Sequence, residues 1–123
     1  MRVLIIEQEK TVGQSLSYFM ERSDFEVLLA HSRQEGIFLF KTNPCDIVLC
    51  GDRLPDGNGL DVLTELAEKN PGLVSILMTV RNDELLRQEA KKAGIRGYLV
   101  KPFDLKLLEE ALSISDCGLR NAE

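Results

Sequence analysis

The chain has 123 residues, 44% of them hydrophobic and 28% charged, and a formal net charge of −5 at pH 7. That length suits one domain with a single core, burying about two-thirds of the surface the unfolded chain exposes, and the acidic balance argues against direct nucleic-acid binding, which needs a basic face. No apolar run approaches the roughly 20 residues of a membrane span, and Val3-Leu4-Ile5-Ile6, followed at once by Glu7, is too short for a signal-peptide core, so a cytoplasmic location is expected.

In chain order, the run Val3–Ile6 reads as a strand, and Val12, Leu16, Phe19 and Met20 then form a helical stripe. A second strand is expected over Phe25–Ala30. Ser32 with Glu35 forms a capping box ahead of Ile37, Leu39 and Phe40. The third strand is Ile47–Cys50, and Asn58 with Asp61 opens a helix carrying Leu60, Leu63, Leu66 and Ala67 that Asn70-Pro71-Gly72 ends. A fourth strand over Leu73–Met78 leads to a helix with Asn82 as its N-cap, Leu85, Leu86 and Ala93 as its stripe, and Gly94 as its stop. Gly97–Val100 is the fifth strand, and Asp104 caps a last helix bearing Leu105, Leu108, Ala111 and Leu112. This Leu105–Leu112 stripe fits packing on the sheet and equally fits a homodimer. Residues 1–116 form the domain, and residues 117–123 are a tail or the start of a linker.

Short apolar strands alternating with helices predict a (βα)5 unit around a parallel sheet, covered on both faces and doubly wound. In such sheets binding sites lie at the carboxyl ends of the strands. Position alone therefore brings Glu7-Gln8-Glu9, Gly51-Asp52, Thr79 and Lys101-Pro102 to one edge, with Asp56-Gly57 in the turn beyond. The cysteines Cys45, Cys50 and Cys117 form no Cys-x-x-Cys pair and have no histidine beside them, so they read as reduced thiols, Cys50 in the core. His31, the lone histidine, reads as a loop residue.

Acids, a hydroxyl and a lysine converging on one edge suit phosphoryl chemistry on a carboxylate. The acids hold a divalent cation, the cation and lysine neutralise the transferring oxygens, and the hydroxyl takes one oxygen after transfer. At these positions the residues resemble the receiver domain of bacterial response regulators. The matching pieces are Val3 to Glu9, Asp46 to Cys50, Leu54-Pro55-Asp56-Gly57-Asn58-Gly59-Leu60, Ile76 to Thr79, and Gly97-Tyr98-Leu99-Val100-Lys101-Pro102-Phe103.

The resemblance implies a flavodoxin-like fold of strand order 2-1-3-4-5. It implies a histidine kinase or downstream effector as partner, and a phosphoryl group accepted on an aspartate with Mg²⁺. It makes Thr79 the switch hydroxyl, Tyr98 the switch aromatic and Lys101 the phosphate-facing lysine, before a Lys101-Pro102 bond that is often cis in the family. Such a domain is a switch and not an enzyme.

The acidic half departs from the family. Glu7-Gln8 stands where two acids are expected, and Gly51, four residues before Pro55, stands where the phosphate-accepting aspartate is expected. A Mg²⁺ site resting on Glu7 and Asp52, with neutral Gln8, is weakened. Asp52 has two readings. Lying one residue late, it is an exposed loop acid pointing to the opposite face, or, re-aimed by Gly51, a displaced phosphoacceptor, with Glu9 replacing the acid missing at Gln8. The leading expectation is a degenerate receiver acting through protein contacts on the face from Arg81 to Lys101. The alternative is a phosphoacceptor using Asp52. A flavin or nucleotide site at Gly57-Asn58-Gly59 lacks the third glycine and the preceding strand, and a hydrolase lacks a Gly-x-Ser-x-Gly elbow.

Overall fold

A computed structural model describes residues 1–102 and 104–120, with residues 113–120 as backbone alone. In chain order the elements are β1 (Arg2–Ile6), α1 (Lys10–Arg22), β2 (Glu26–Ala30), α2 (Arg33–Thr42), β3 (Ile47–Gly51), β4 (Arg53–Leu54), β5 (Gly57–Asn58), α3 (Gly59–Lys69), β6 (Val74–Thr79), α4 (Glu84–Lys92), β7 (Gly97–Val100) and α5 (Leu105–Arg120). Alternation along the strands decides the layers. Leu4, Ile6, Val48, Cys50 and Leu77 turn one way, onto Phe40 of α2, Val62, Leu63 and Leu66 of α3, and Leu86 and Ala90 of α4. Val3, Ile5, Ile47, Leu49, Ile76 and Met78 turn the other way, onto Leu16 and Met20 of α1 and Leu108 of α5. With both faces covered, the strands read as unbroken apolar runs, and every residue of β3 and β6 is buried.

Among the described residues, five strands form a parallel sheet of order β2-β1-β3-β6-β7. This is not the expected 2-1-3-4-5 numbering. The segment after β3 contributes two further two-residue strands, β4 and β5, which pair only with each other as an antiparallel hairpin around Pro55 and Asp56. A two-residue ladder leaves no periodicity in a sequence, which is why it was not foreseen.

The helix starts match chemistry more than pattern. Ser32 accepts Glu35 N–H, Asn58 accepts Asp61 N–H, and Asp104 accepts Leu107 N–H. At α4 the cap is Asp83 and not the expected Asn82: its Oδ1 accepts from Leu85 N–H at 3.0 Å and from Leu86 N–H at 3.4 Å. Gly94 ends α4 with φ of +85°, the left-handed C-cap that glycine adopts without steric cost. The α4 stripe also differs from expectation, since Leu86 and Ala90 are buried whereas Leu85 is 71% exposed. In α5, Leu108 is buried while Leu105 and Leu107 are each 46% exposed.

Two features of the fold shape the edge where the strands end. Gly59, the first residue of α3, donates to the Asp52 carbonyl at 2.7 Å, and a Cβ built on it would lie 2.1 Å from the Gly51 carbonyl oxygen, so only glycine lets α3 approach this closely. Asp56 reaches from the hairpin turn to the start of α2, accepting Arg33 N–H at 2.7 Å and Gln34 N–H at 3.0 Å. These two backbone donors, Gln34 foremost, lower the Asp56 carboxyl pKa. The boundary expected at residue 117 falls within α5. Phe103, residues 121–123 and the side chains of 113–120, Cys117 among them, lie outside the described residues.

Candidate functional site

The register of the parallel strands aligns their ends: Ile6 faces Cys50, Gly51 faces Met78, and Thr79 faces Val100. The residues that follow therefore converge. A cavity of about 260 Å³ opens there, lined by Glu7, Gln8, Glu9, Asp52, Arg53, Met78, Thr79, Val80 and Lys101. The groups expected at this edge from the sequence are thus brought together, but they are partnered in an arrangement the sequence did not reveal.

One half of the cluster belongs to Glu7, which is only 2% exposed. Its Oε1 lies 2.5 Å from Lys101 Nζ, and its Oε2 accepts Glu9 N–H at 3.0 Å. The Glu7 carbonyl accepts from His31 Nδ1 at 3.0 Å, which gives the lone histidine a positioning contact in the turn after β2. A Cβ built on Gly51 would meet Glu7 Oε1 at 3.0 Å and its carboxyl carbon at 3.4 Å. The Glu7 carboxylate therefore fills the space above Gly51 and pairs with Lys101. Lys101 precedes Pro102 through a cis peptide bond. Beneath the cluster, Cys50 is buried, and burial together with Glu7 holds its thiol far above the ordinary range, so it is inert.

The other half belongs to Asp52. This residue is 9% exposed, so it is not the exposed loop acid that strand alternation suggested. Its Oδ2 accepts from Thr79 Oγ1 at 2.9 Å. Alternation explains the pairing: Ile47 and Leu49 face the α1 and α5 layer, Val48 and Cys50 face the other, so Gly51 continues the first set and Asp52 the second. Thr79, one past Met78, shares the parity of Asp52, while Glu7 and Lys101 share that of Gly51. A one-residue displacement thus moves the carboxylate from the lysine side of the edge to the hydroxyl side.

Arg81, expected from the sequence only as one end of a contact face, connects the cavity to α4. Its N–H donates to Thr79 Oγ1 at 3.0 Å and its carbonyl accepts from the Tyr98 hydroxyl at 2.7 Å. Its guanidinium lies 2.7 Å from Asp83 Oδ2 and 4.0 Å from Asp52 Oδ2. The available signal was its place two residues after a strand-end threonine, ahead of an aspartate that could cap. Tyr98 is half-buried, its phenol pKa raised by burial, and the Arg87 guanidinium lies 4.3 Å from its ring centroid, a cation–π contact.

The Arg81 guanidinium, followed by the α4 backbone N–H groups, lowers the Asp83 pKa. A carboxyl depressed in the folded state adds stability that is fully present above its unfolded value of about 3.9 and is lost as pH falls through the folded value. Wild-type protein is therefore expected to be more stable than Asp83→Asn at pH 7, with the gap closing below about pH 4. Thermal unfolding of both across pH 2 to 7 checks this, and a gap that stays constant would refute the assignment.

The donor set does not fit Mg²⁺. Both Glu7 oxygens are engaged, the Lys101 ammonium lies against the carboxylate a cation would need, and Gln8 brings no charge. Among the described residues, no group of three or more His, Cys, Asp or Glu side chains is placed to hold a metal ion. No helix among them is long and apolar enough to cross a membrane.

Residues 3–113 match the family described as response regulator receiver domain. The transcriptional regulatory protein CusR of Escherichia coli K12 is 34% identical over 103 residues, covering 84% of this chain and 45% of that protein. The response regulator protein PilR of Pseudomonas aeruginosa is 30% identical over 122 residues, covering 99% of this chain and 27% of that protein. This chain thus spans less than half the length of the curated relatives it matches. Among solved structures, a response regulator receiver domain protein from Clostridium thermocellum superimposes with a TM-score of 0.88 at 28% identity, over 99% of this chain and 98% of that one. The non-phosphorylated HemR receiver domain from Leptospira biflexa does so with 0.86 at 28% identity, over 93% and 92%.

Proposed function

The chain belongs to the response regulator receiver domain family, and from that premise we propose that it is a degenerate receiver of a two-component system, signalling through protein contacts without aspartyl phosphorylation at the usual position. One observation carries the reading: the Glu7 carboxylate fills the space above Gly51 and holds Lys101. The position that would attack a phosphoryl donor has no side chain, and the cation that would neutralise the transferring oxygens is already paired. The domain then performs no chemistry of its own. Its partner is a kinase or a downstream effector meeting the face from Arg81 to Lys101, in the cytoplasm.

A second reading is kept by one contact. Asp52 Oδ2 lies 2.9 Å from Thr79 Oγ1 within the same cavity, so Asp52 is a candidate acceptor on the hydroxyl side. Against it, the ammonium group lies on Glu7. Incubation with Mg²⁺ and acetyl phosphate, followed by intact mass measurement, separates the two. The wild-type mass is expected to stay unchanged. A gain of one phosphoryl group that disappears in Asp52→Asn would sink the degenerate reading.

A further inference from the structure

We propose that two carboxylates of this chain, Glu7 and Asp52, together stand in for the aspartyl phosphate and hold the Thr79–Tyr98 switch permanently set. This rests on the reading that the domain works without phosphorylation, and deepens it by naming what replaces the phosphoryl group. A phosphorylated carboxylate at this edge would present anionic oxygens in two directions, to an ammonium group and to a hydroxyl. Here the same two donors are satisfied by different acids. Lys101 Nζ meets Glu7 Oε1, and Thr79 Oγ1 donates to Asp52 Oδ2 at 2.9 Å. Both acids are buried, at 2% and 9% exposure, so these contacts are screened far less than surface pairs although the cavity beside them admits some water.

The consequence reaches the surface through consecutive hydrogen bonds. With its proton committed to Asp52, the Thr79 hydroxyl offers a lone pair to Arg81 N–H at 3.0 Å. The Arg81 carbonyl, fixed in turn, accepts from Tyr98 at 2.7 Å, and the Arg81 guanidinium holds Asp83, the cap of α4. A buried carboxylate is thus linked to the Tyr98 ring and to the start of α4 with no break. The element being biased is the Thr79–Asp83 segment, and the biasing group is a residue of the chain where a modifiable receiver would use a transferable ligand.

NMR on the full chain tests this, reading amide exchange at Arg81 and the ring resonances of Tyr98. Asp52→Ala and Thr79→Val are each expected to speed Arg81 exchange by about tenfold, the loss of one buried hydrogen bond, and to shift the Tyr98 resonances in the same direction. Thr79→Ser, which keeps the hydroxyl, is expected to restore both. If Asp52→Ala does not fold, Thr79→Val carries the test with both acids in place. Unchanged Arg81 exchange and Tyr98 resonances in a folded variant lacking the carboxylate or the hydroxyl overturn the inference, while the wild type's inertness to acetyl phosphate would leave the degenerate reading standing. Uptake of a phosphoryl group by wild type that moves the Tyr98 resonances overturns both.

Discussion

Gly51→Asp is expected to turn the strand-end cluster into a divalent-cation site, giving a variant whose thermal stability rises with Mg²⁺ while that of the wild type does not. The new Cβ would lie 3.0 Å from Glu7 Oε1, but the obstacle is the far end of a flexible side chain and not backbone, so Glu7 can yield. Three carboxylates would then share this edge with the Lys101 ammonium, which lies on Glu7, and the Arg81 guanidinium, 4.0 Å from Asp52. Without a cation their repulsion destabilises the variant; a hard dication offered oxygen ligands relieves it. At a Mg²⁺ concentration ten times the dissociation constant, linkage gives a stabilisation of about 1.4 kcal/mol. Calorimetric melts of both proteins with and without Mg²⁺ check this. Equal responses would mean that Gly51 is not what denies this edge its cation. Adding Gln8→Asp supplies the remaining acid and is expected to enlarge the response.

The layers of the fold were legible because burial on both faces writes strands as apolar runs, and Val3–Ile6, Ile47–Cys50 and Gly97–Val100 recur within a residue in the structure. The convergence of Glu7, Asp52, Thr79 and Lys101 was legible too, since a parallel doubly wound sheet places its strand ends together. What escaped was the pairing among them. Sequence spacing places Asp52 one residue late, but only the parity of Thr79 reveals that the displaced carboxylate meets the hydroxyl. The capture of Lys101 by Glu7 depends on free volume, the missing side chain at Gly51, and volume is not written locally. The role of Arg81 escaped for a related reason. Two of its four links are made by its backbone N–H and carbonyl, which every residue but proline carries, so residue type gave no signal. Asn82 and Asp83 are both good caps, and the choice fell to the residue that Arg81 also holds.

Lys101→Met is expected to destabilise the domain by about 3 kcal/mol, with Glu7→Gln in the same chain recovering most of the loss. Glu7 is 2% exposed and the Lys101 side chain 18%, so removing the ammonium leaves a buried carboxylate without its counter-ion. The cost belongs at the lower end of the range for broken buried pairs, because Glu9 N–H still donates to Glu7 Oε2 and the cavity admits some water. In the double variant, glutamine keeps an oxygen for Glu9 N–H and brings no charge to bury, and the methionine stem retains the apolar packing of the lysine chain. Urea unfolding of the wild type, both single variants and the double variant gives the coupling directly, and about 2 kcal/mol is expected. A coupling near zero would mean that Lys101 is a solvated lysine in contact with Glu7 and not its required partner.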